Sequence, residues 1–205
     1  MRNSNRTVFM KKRRRLIILI LIAIVLLVIM IGYFGCSRNE VMDSSIKTIE
    51  IEERGHLDLL FWARGEVEFD HEGRQIQLYI ANYAHDELLL HENIGGVRFL
   101  DEPRNTGSIF WGITSQNNLP HELHTWINLD DGSSVRGFFD LSTLEMEEVG
   151  PRSNLTILKR EIEHGHRYAL HIQHSGTFMT LTNNVFDPQY LRQYENSIIF
   201  YVVFN

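Results

Sequence analysis

Cysteine is almost absent from this sequence, because Cys36 is the only one among its 205 residues. An internal disulfide is therefore excluded, and so is a zinc site built from several cysteines. A domain of roughly 100–150 residues can bury enough apolar surface to fold without such cross-links. Stability must therefore come from an ordinary hydrophobic core.

Several motifs that mark enzyme classes are also missing. The chain has no Gly-x-Ser-x-Gly elbow, no phosphate-binding glycine loop and no dinucleotide-binding fingerprint. No cofactor is expected. A hydrolase that uses a metal or two carboxylates would leave no such local pattern, because its residues come from separate strands.

Acidic residues are lacking at the N-terminus and abundant afterwards. Residues 1–36 contain seven of the 20 basic residues and none of the 26 acidic ones. Residues 37–205 therefore carry 13 basic and 26 acidic residues, a net charge of −13 with histidine neutral. Such a domain should repel phosphate backbones, so nucleic acid is not an expected partner.

One long apolar run follows the basic residues. Residues 16–31 are all apolar, and residues 32–36 extend the run without a charge. A helix of this length spans about 30 Å, the hydrocarbon thickness of a bilayer. Because positive charge before such a run favours the cytoplasmic side, we predict a cytoplasmic segment over residues 1–15 and a transmembrane helix over residues 16–36 in contact with membrane lipid. The rest of the chain should then lie outside the cytoplasm.

A second form of anchoring remains open at Cys36. Gly35, Cys36 and Ser37 resemble the end of a bacterial lipoprotein signal, in which the cysteine carries the lipid. Tyr33 and Phe34 depart from that pattern, because they replace the aliphatic and small residues usual there. The alternative localisation is a lipid anchor at Cys36, which leaves the domain on the same side of the membrane.

The remainder of the sequence predicts one mainly β domain. Residues 37–45 are polar and are expected to form a tether, and short β-rich runs separated by turn residues follow over residues 46–205. This spacing predicts an antiparallel β-sandwich, immunoglobulin-like or jelly-roll-like, with one or two short helices. The sequence Asp130-Asp131-Gly132-Ser133 predicts a hairpin turn, and the apolar residues 198–204 predict a central strand covered on both sides.

Local signals predict where strands break and where the helices begin. Arg64-Gly65 should separate two short strands, and residues 87–91 and 97–100 are predicted as separate strands. Ser142, with Glu145 three residues later, has the form of a capping box. Asp187 before Pro188 has the form of a second helix start.

Histidine is the residue type through which a metal could bind, since the chain has ten. His164 and His166 lie two positions apart, so on an extended strand both would point to one face and could share a metal with a distant carboxylate. His171 and His174 should point to opposite faces of a regular strand. The alternative interpretation is that most of the histidines are solvated side chains in or beside turns.

Aromatic residues suggest a binding surface. Trp62, Trp111 and Trp126 are spread along the chain, and Tyr79 and Tyr83 fall on the polar side of their predicted strand. Aromatic rings exposed on a sandwich face suit stacking on sugars or contact with a protein. The alternative, favoured for the tryptophans, is that they fill the core between the sheets.

Together these features predict a binding or structural module rather than an enzyme. We expect it to be held at the cell membrane, facing the cell surface or envelope, with a protein or a polysaccharide as its ligand. The alternative is an envelope hydrolase, metal-assisted or using two carboxylates, with its site at one end of the sandwich.

Overall fold

The computed structural model describes residues 44–50, 60–100, 104–117, 119–144, 152–157, 160–176, 182 and 184–205. In these ranges the chain is mainly β, with two antiparallel sheets and very few helices. The predicted β class with a sandwich-like arrangement is therefore confirmed. The predicted membrane span 16–36, including Cys36, lies outside the described residues. Within them, no helix has both the length and the apolar character that crossing a bilayer requires.

The described ranges contain eleven strands, and the first begins at Ser45, inside the segment predicted as a tether. Their bounds are β1 (Ser45–Thr48), β2 (Ala63–His71), β3 (Gln75–Ala84), β4 (Glu87–Arg98), β5 (Asn105–Gln116), β6 (Leu119–Leu129), β7 (Ser134–Asp140), β8 (Arg152–Asn154), β9 (Arg160–Glu161), β10 (Arg167–His174) and β11 (Asn196–Phe204). One sheet has six strands in the order β7-β6-β5-β2-β1-β9. The other has five, in the order β4-β3-β11-β10-β8.

The core forms because side chains alternate between the two faces of each strand. Alternate positions of β5, β6, β3 and β11 supply most of the buried apolar residues, which pack into a single cluster drawn from both sheets. Trp111 lies in this cluster with only 1% of its surface exposed, and its ring centroid lies 6.0 Å from that of Phe200 in the opposite sheet. The alternate residues of the six-stranded sheet point away from this core, and on that outer face they carry polar and aromatic groups.

The last strand, β11, has apolar neighbours on both of its faces, as its uniformly apolar sequence predicts. Ile198, Phe200 and Val202 belong to the core between the sheets. Ile199 and Tyr201 belong to a second cluster on the outer face of the five-stranded sheet. Strand β11 pairs with β3 on one side and β10 on the other, so the prediction of a covered central strand is confirmed.

Two predicted strand breaks are wrong. Strand β2 continues through Arg64-Gly65, because Gly65 lies opposite Trp111 and a Cβ there would lie 2.5 Å from the indole ring. The glycine therefore makes room for a core side chain and does not end the strand. Strand β4 also runs without interruption from Glu87 to Arg98, and its irregularities appear only as shifts in register against β3.

The turn predictions hold in part. Between β6 and β7, the Ser133 amide donates to the Asp131 carboxylate over 2.7 Å and Gly132 has φ +89°, as a hairpin turn at this sequence requires. The helix α1 (Pro188–Leu191) begins after Asp187, whose side chain accepts from the Gln189 amide. That helix start is confirmed.

The predicted cap at Ser142 is wrong. A short 3-10 helix spans Leu141–Thr143, and Asp140 caps it by accepting from the Ser142 amide over 2.9 Å. The helix therefore begins two residues earlier than predicted. The Asp140 carboxylate takes the capping role, and Ser142 lies inside the first turn. Glu145, the other residue of the predicted capping box, lies outside the described residues.

Candidate functional site

A group of aromatic rings lies on the outer face of the six-stranded sheet. We call it the aromatic patch, and it consists of Phe61, Phe110, His124, Trp126 and Phe138. Phe110 and Trp126 are register partners on β5 and β6, with ring centroids 5.2 Å apart. His124 stacks on Trp126 at 5.9 Å and 20° and lies 6.2 Å from Phe138. Phe138 is 60% exposed, whereas the other four rings are half-buried.

Phe61 closes the patch from the segment that leads into β2. Its ring lies 5.9 Å from Phe110 and 6.1 Å from Trp126, both edge-on. The ring rests on Gly112, where an added Cβ would lie 2.5 Å from it. Edge-to-face contacts of this kind hold rings in place and leave part of each surface open. The patch is therefore an ordered surface feature of the sheet.

A polar groove adjoins the aromatic patch on the same face. It has a volume of about 590 Å³, and strands β1, β2, β5 and β6 supply most of its lining. The polar and charged side chains that line it are those of Ser45, Lys47, Glu66, Glu68, Asp70, Thr106, Ser108, Asn128 and Asp130. We call this feature the polar groove.

The groove and the patch are continuous because they occupy successive outward positions of the same strands. Ser108 in the groove is followed on β5 by Phe110 in the patch, and Glu66 lies opposite Phe110 in the register of β2 and β5. Seven residues of β5, from Thr106 to Gly112, extend over about 20 Å. The combined surface is long enough for an extended ligand.

The charges in the groove are mostly negative and only partly paired. Lys47 pairs with Glu68 over 2.7 Å, and Arg104 donates to Asp70 over 2.8 Å. Hydrogen bonding to Asp70 raises the pKa of Arg104 above its usual range. The Thr106 hydroxyl donates to Asp130 over 2.6 Å. The Glu66 carboxylate has no ion pair or hydrogen bond within the described part of the chain.

The outer face of the other sheet is covered instead. Residues 184–194 pack over β3, β10 and β11 and form the second hydrophobic cluster with them. Tyr83 is buried there, and Tyr79 is stacked between His91 and Tyr201, 5.0 and 5.4 Å away. The prediction of exposure on a polar face is therefore wrong for Tyr83, since a later segment of the chain covers that face. Tyr79 is half-buried and packs against the second cluster.

The three tryptophans divide between the core and the surface. Trp111 is a core residue, and Trp62 is half-buried and packs against the core. Trp126 lies in the aromatic patch. The prediction that tryptophans fill the core is thus confirmed for Trp111 and wrong for Trp126.

His164 and His166 are both exposed in the tight turn that precedes β10, and not on a strand as the shared-face argument assumed. The His166 ring packs against Tyr168 at 4.7 Å. Among the residues the structure describes, no three His, Cys, Asp or Glu side chains are grouped so that they could hold a metal ion. The metal site at this pair stays a prediction.

His171 and His174 point to opposite faces of β10, as predicted. The His171 ring lies 4.9 Å from Trp111 inside the sandwich. His174 lies on the other face, 0% exposed, with Nδ1 2.8 Å from the Ser197 hydroxyl and Nε2 2.7 Å from the Tyr190 hydroxyl. Its ring stacks on Tyr194 at 3.6 Å.

Burial lowers the pKa of His174 to about 4 and raises the pKa of Tyr190. The imidazole is therefore neutral at neutral pH, and each nitrogen faces one hydroxyl. A serine beside a histidine suggests nucleophilic catalysis, but Ser197 and His174 are both 0% exposed. No substrate can reach them, so this network ties residues 190–194 to the sheet.

Sequence reasoning identified Trp126 but missed the rest of the aromatic patch. The signal that could have shown it is the alternation of side chains along β5 and β6. By this alternation, Phe110 and His124 lie on the same outward face as Trp126. Phe61 could not be found in this way, because it lies outside a strand and is placed by contact with Gly112.

No known protein family, curated protein or solved structure matches this chain.

Proposed function

We propose that the domain is a non-enzymatic module that binds a polysaccharide across the outer face of its six-stranded sheet. The observation that supports this most is the continuity of the aromatic patch with the polar groove. The apolar C–H face of a sugar ring packs on aromatic rings, while its hydroxyls require hydrogen-bond partners nearby. Trp126 and Phe138 would supply the stacking surface, and Glu66, Ser108 and Asn128 the partners.

The sign of the charge narrows the class of polysaccharide. The groove contains four carboxylates against one lysine in its lining, and residues 37–205 have a net charge of −13. A ligand rich in carboxylate, sulfate or phosphate would be repelled. The proposed ligand is therefore a polymer of neutral or amino-bearing sugars, whose hydroxyl and ammonium groups donate to carboxylates.

Removing the two most prominent rings of the patch should weaken binding with little effect on folding. For the double variant Trp126→Ala/Phe138→Ala, we expect affinity to fall about 5- to 150-fold, because two stacking contacts of about 0.5–1.5 kcal/mol each are lost. The measurement is retention of the detergent-solubilised full chain on chitin, cellulose and chitosan, with dextran sulfate as the anionic polymer.

The matched control is Leu89→Ala, which removes an exposed apolar side chain from β4 in the other sheet. It should leave retention unchanged. Retention on dextran sulfate alone, or equal retention of the double variant and the wild type, would contradict the proposal. Release of new reducing ends from the polymers would instead favour the hydrolase alternative.

We also propose that residues 16–36 hold this module on the outer side of a cytoplasmic membrane. The run of apolar residues directly after five consecutive basic residues supports this. Protease added from the outer side should then digest the β domain, and the chain should stay in the membrane pellet after carbonate washing. Recovery of the chain in the soluble fraction would contradict the anchor.

Cys36→Ala separates the two forms of anchoring. A retained transmembrane helix does not depend on the thiol, so the variant should stay in the membrane at its full mass. Loss of membrane attachment in this variant, together with loss of a lipid mass from the wild type, would show lipidation at Cys36 instead.

A further inference from the structure

A second pocket, which shares no lining residue with the polar groove, lies where β10 begins. It has a volume of about 690 Å³, and it is lined by residues 155–157, 165–169 and 184–186 together with Arg160 and Thr182. Among these residues are Arg160, His166 and Arg167 and no carboxylate. Since residues 37–205 have a net charge of −13, this lining is a local excess of positive charge.

The described part of the chain contains both paired and unpaired cations. Lys47, Arg104 and Arg192 each form an ion pair with a nearby carboxylate. Within the described residues, Arg160 and Arg167 form none. Glu161 and Glu163 lie beside the pocket on the neighbouring strand and turn but do not line it.

The side chains of Arg167 and His166 are exposed, but each contacts an aromatic ring. The Arg167 guanidinium lies 4.8 Å above the ring of Phe186. His166 packs edge-on against the Tyr168 ring at 4.7 Å. The Tyr168 hydroxyl in turn donates to the Glu161 carbonyl over 3.0 Å. A guanidinium has five N–H donors, so Arg167 keeps several for a ligand.

We propose that this pocket binds an acidic ligand through its carboxylate or phosphate groups. Arg160 and Arg167 provide charge-assisted hydrogen bonds, and His166 provides a third polar contact. This assignment also bears on the metal prediction for His164 and His166, because two guanidinium groups that line the same pocket as His166 repel a metal cation and attract an anion. The site is separate from the polysaccharide surface and does not depend on it.

The test is a titration of the full chain, followed by the backbone amide signals of Gly165 and Arg167. Sodium phosphate and sodium citrate are the two probes, each compared with sodium chloride at the same ionic strength. Both signals should shift to saturation with at least one probe, and the probe that succeeds tells whether phosphate or carboxylate is preferred. Arg160→Gln/Arg167→Gln should weaken this binding at least about tenfold, since it removes two charge-assisted contacts.

The matched control is Arg136→Gln, which removes an exposed arginine from β7 in the other sheet. It should bind the probes as the wild type does. Shifts that do not saturate, or that are equal in the double variant, would overturn the proposal. If zinc shifts the backbone amide signals of His164 and His166 to saturation, and phosphate and citrate shift no signal, the metal site is favoured instead.

Discussion

Replacement of Trp111 by alanine should lower the free energy of unfolding by about 3–5 kcal/mol, the usual loss when a large aromatic residue is removed from a core. Trp111 is 1% exposed and contacts His171 and Phe200 in the opposite sheet. The indole ring of Trp111 occupies the space that Gly65 leaves beside it. Removal of the indole ring therefore creates a cavity that the backbone of β2 cannot fill. Urea unfolding of the detergent-solubilised chain, followed by circular dichroism, measures the loss.

Trp126→Ala is the matched control for this prediction, since it removes the same side chain from the neighbouring strand but from the outer face. Its loss of stability should be less than half that of Trp111→Ala, because half-buried surface positions leave no closed cavity. Equal losses in the two variants would contradict the assignment of Trp111 to the core and of Trp126 to the surface.

Acidification should destabilise the domain through His174. Its pKa is about 4 in the folded chain because of burial, against an ordinary value of 6.5 in the unfolded chain. Above pH 6.5 both states are neutral and the effect is absent. Between pH 6.5 and 4 the unfolded state takes up a proton that the folded state refuses, so the free energy of unfolding falls. The loss between pH 7 and pH 4.5 should be roughly 2–3 kcal/mol.

The side chains that contact the His174 ring are Tyr190, Tyr194 and Ser197, none of them charged at these pH values. Burial also lowers the pKa of His71, which adds to the same trend. The contribution of His174 is therefore measured as a difference between the wild type and His174→Gln, which keeps a polar side chain of similar size. If both lose the same stability on acidification, the account of the buried imidazole is wrong.

The general β architecture could be predicted from the sequence because it depends on local alternation. Three correct predictions each depend on a pattern of fewer than ten consecutive residues. They are the turn at residues 130–133, the helix start at Asp187 and the covered strand β11. The prediction failed at Gly65, where the reason for the glycine is a tryptophan 46 positions away. Contacts between distant strands leave no local signal.

The candidate site shows the same limit. Outward-facing rings on β5 and β6 can be recognised from parity, but the prediction of exposure failed for Tyr83 on the other sheet. This tyrosine has the right parity and is nevertheless buried, because residues 184–194 return over that face. Which face of a sheet stays exposed depends on where a later segment of the chain packs. The alternation of residues along a strand does not predict this.

The most direct test of the proposed function follows the three tryptophan indole N–H signals of the full chain during titration with a chito-oligosaccharide. The chain has only three tryptophans, and they occupy the core, its border and the aromatic patch. We predict a saturable shift of the Trp126 signal, with the Trp111 signal unchanged. If saturable binding leaves the Trp126 signal unmoved, the ligand lies elsewhere and the outer face of the six-stranded sheet is not the binding surface.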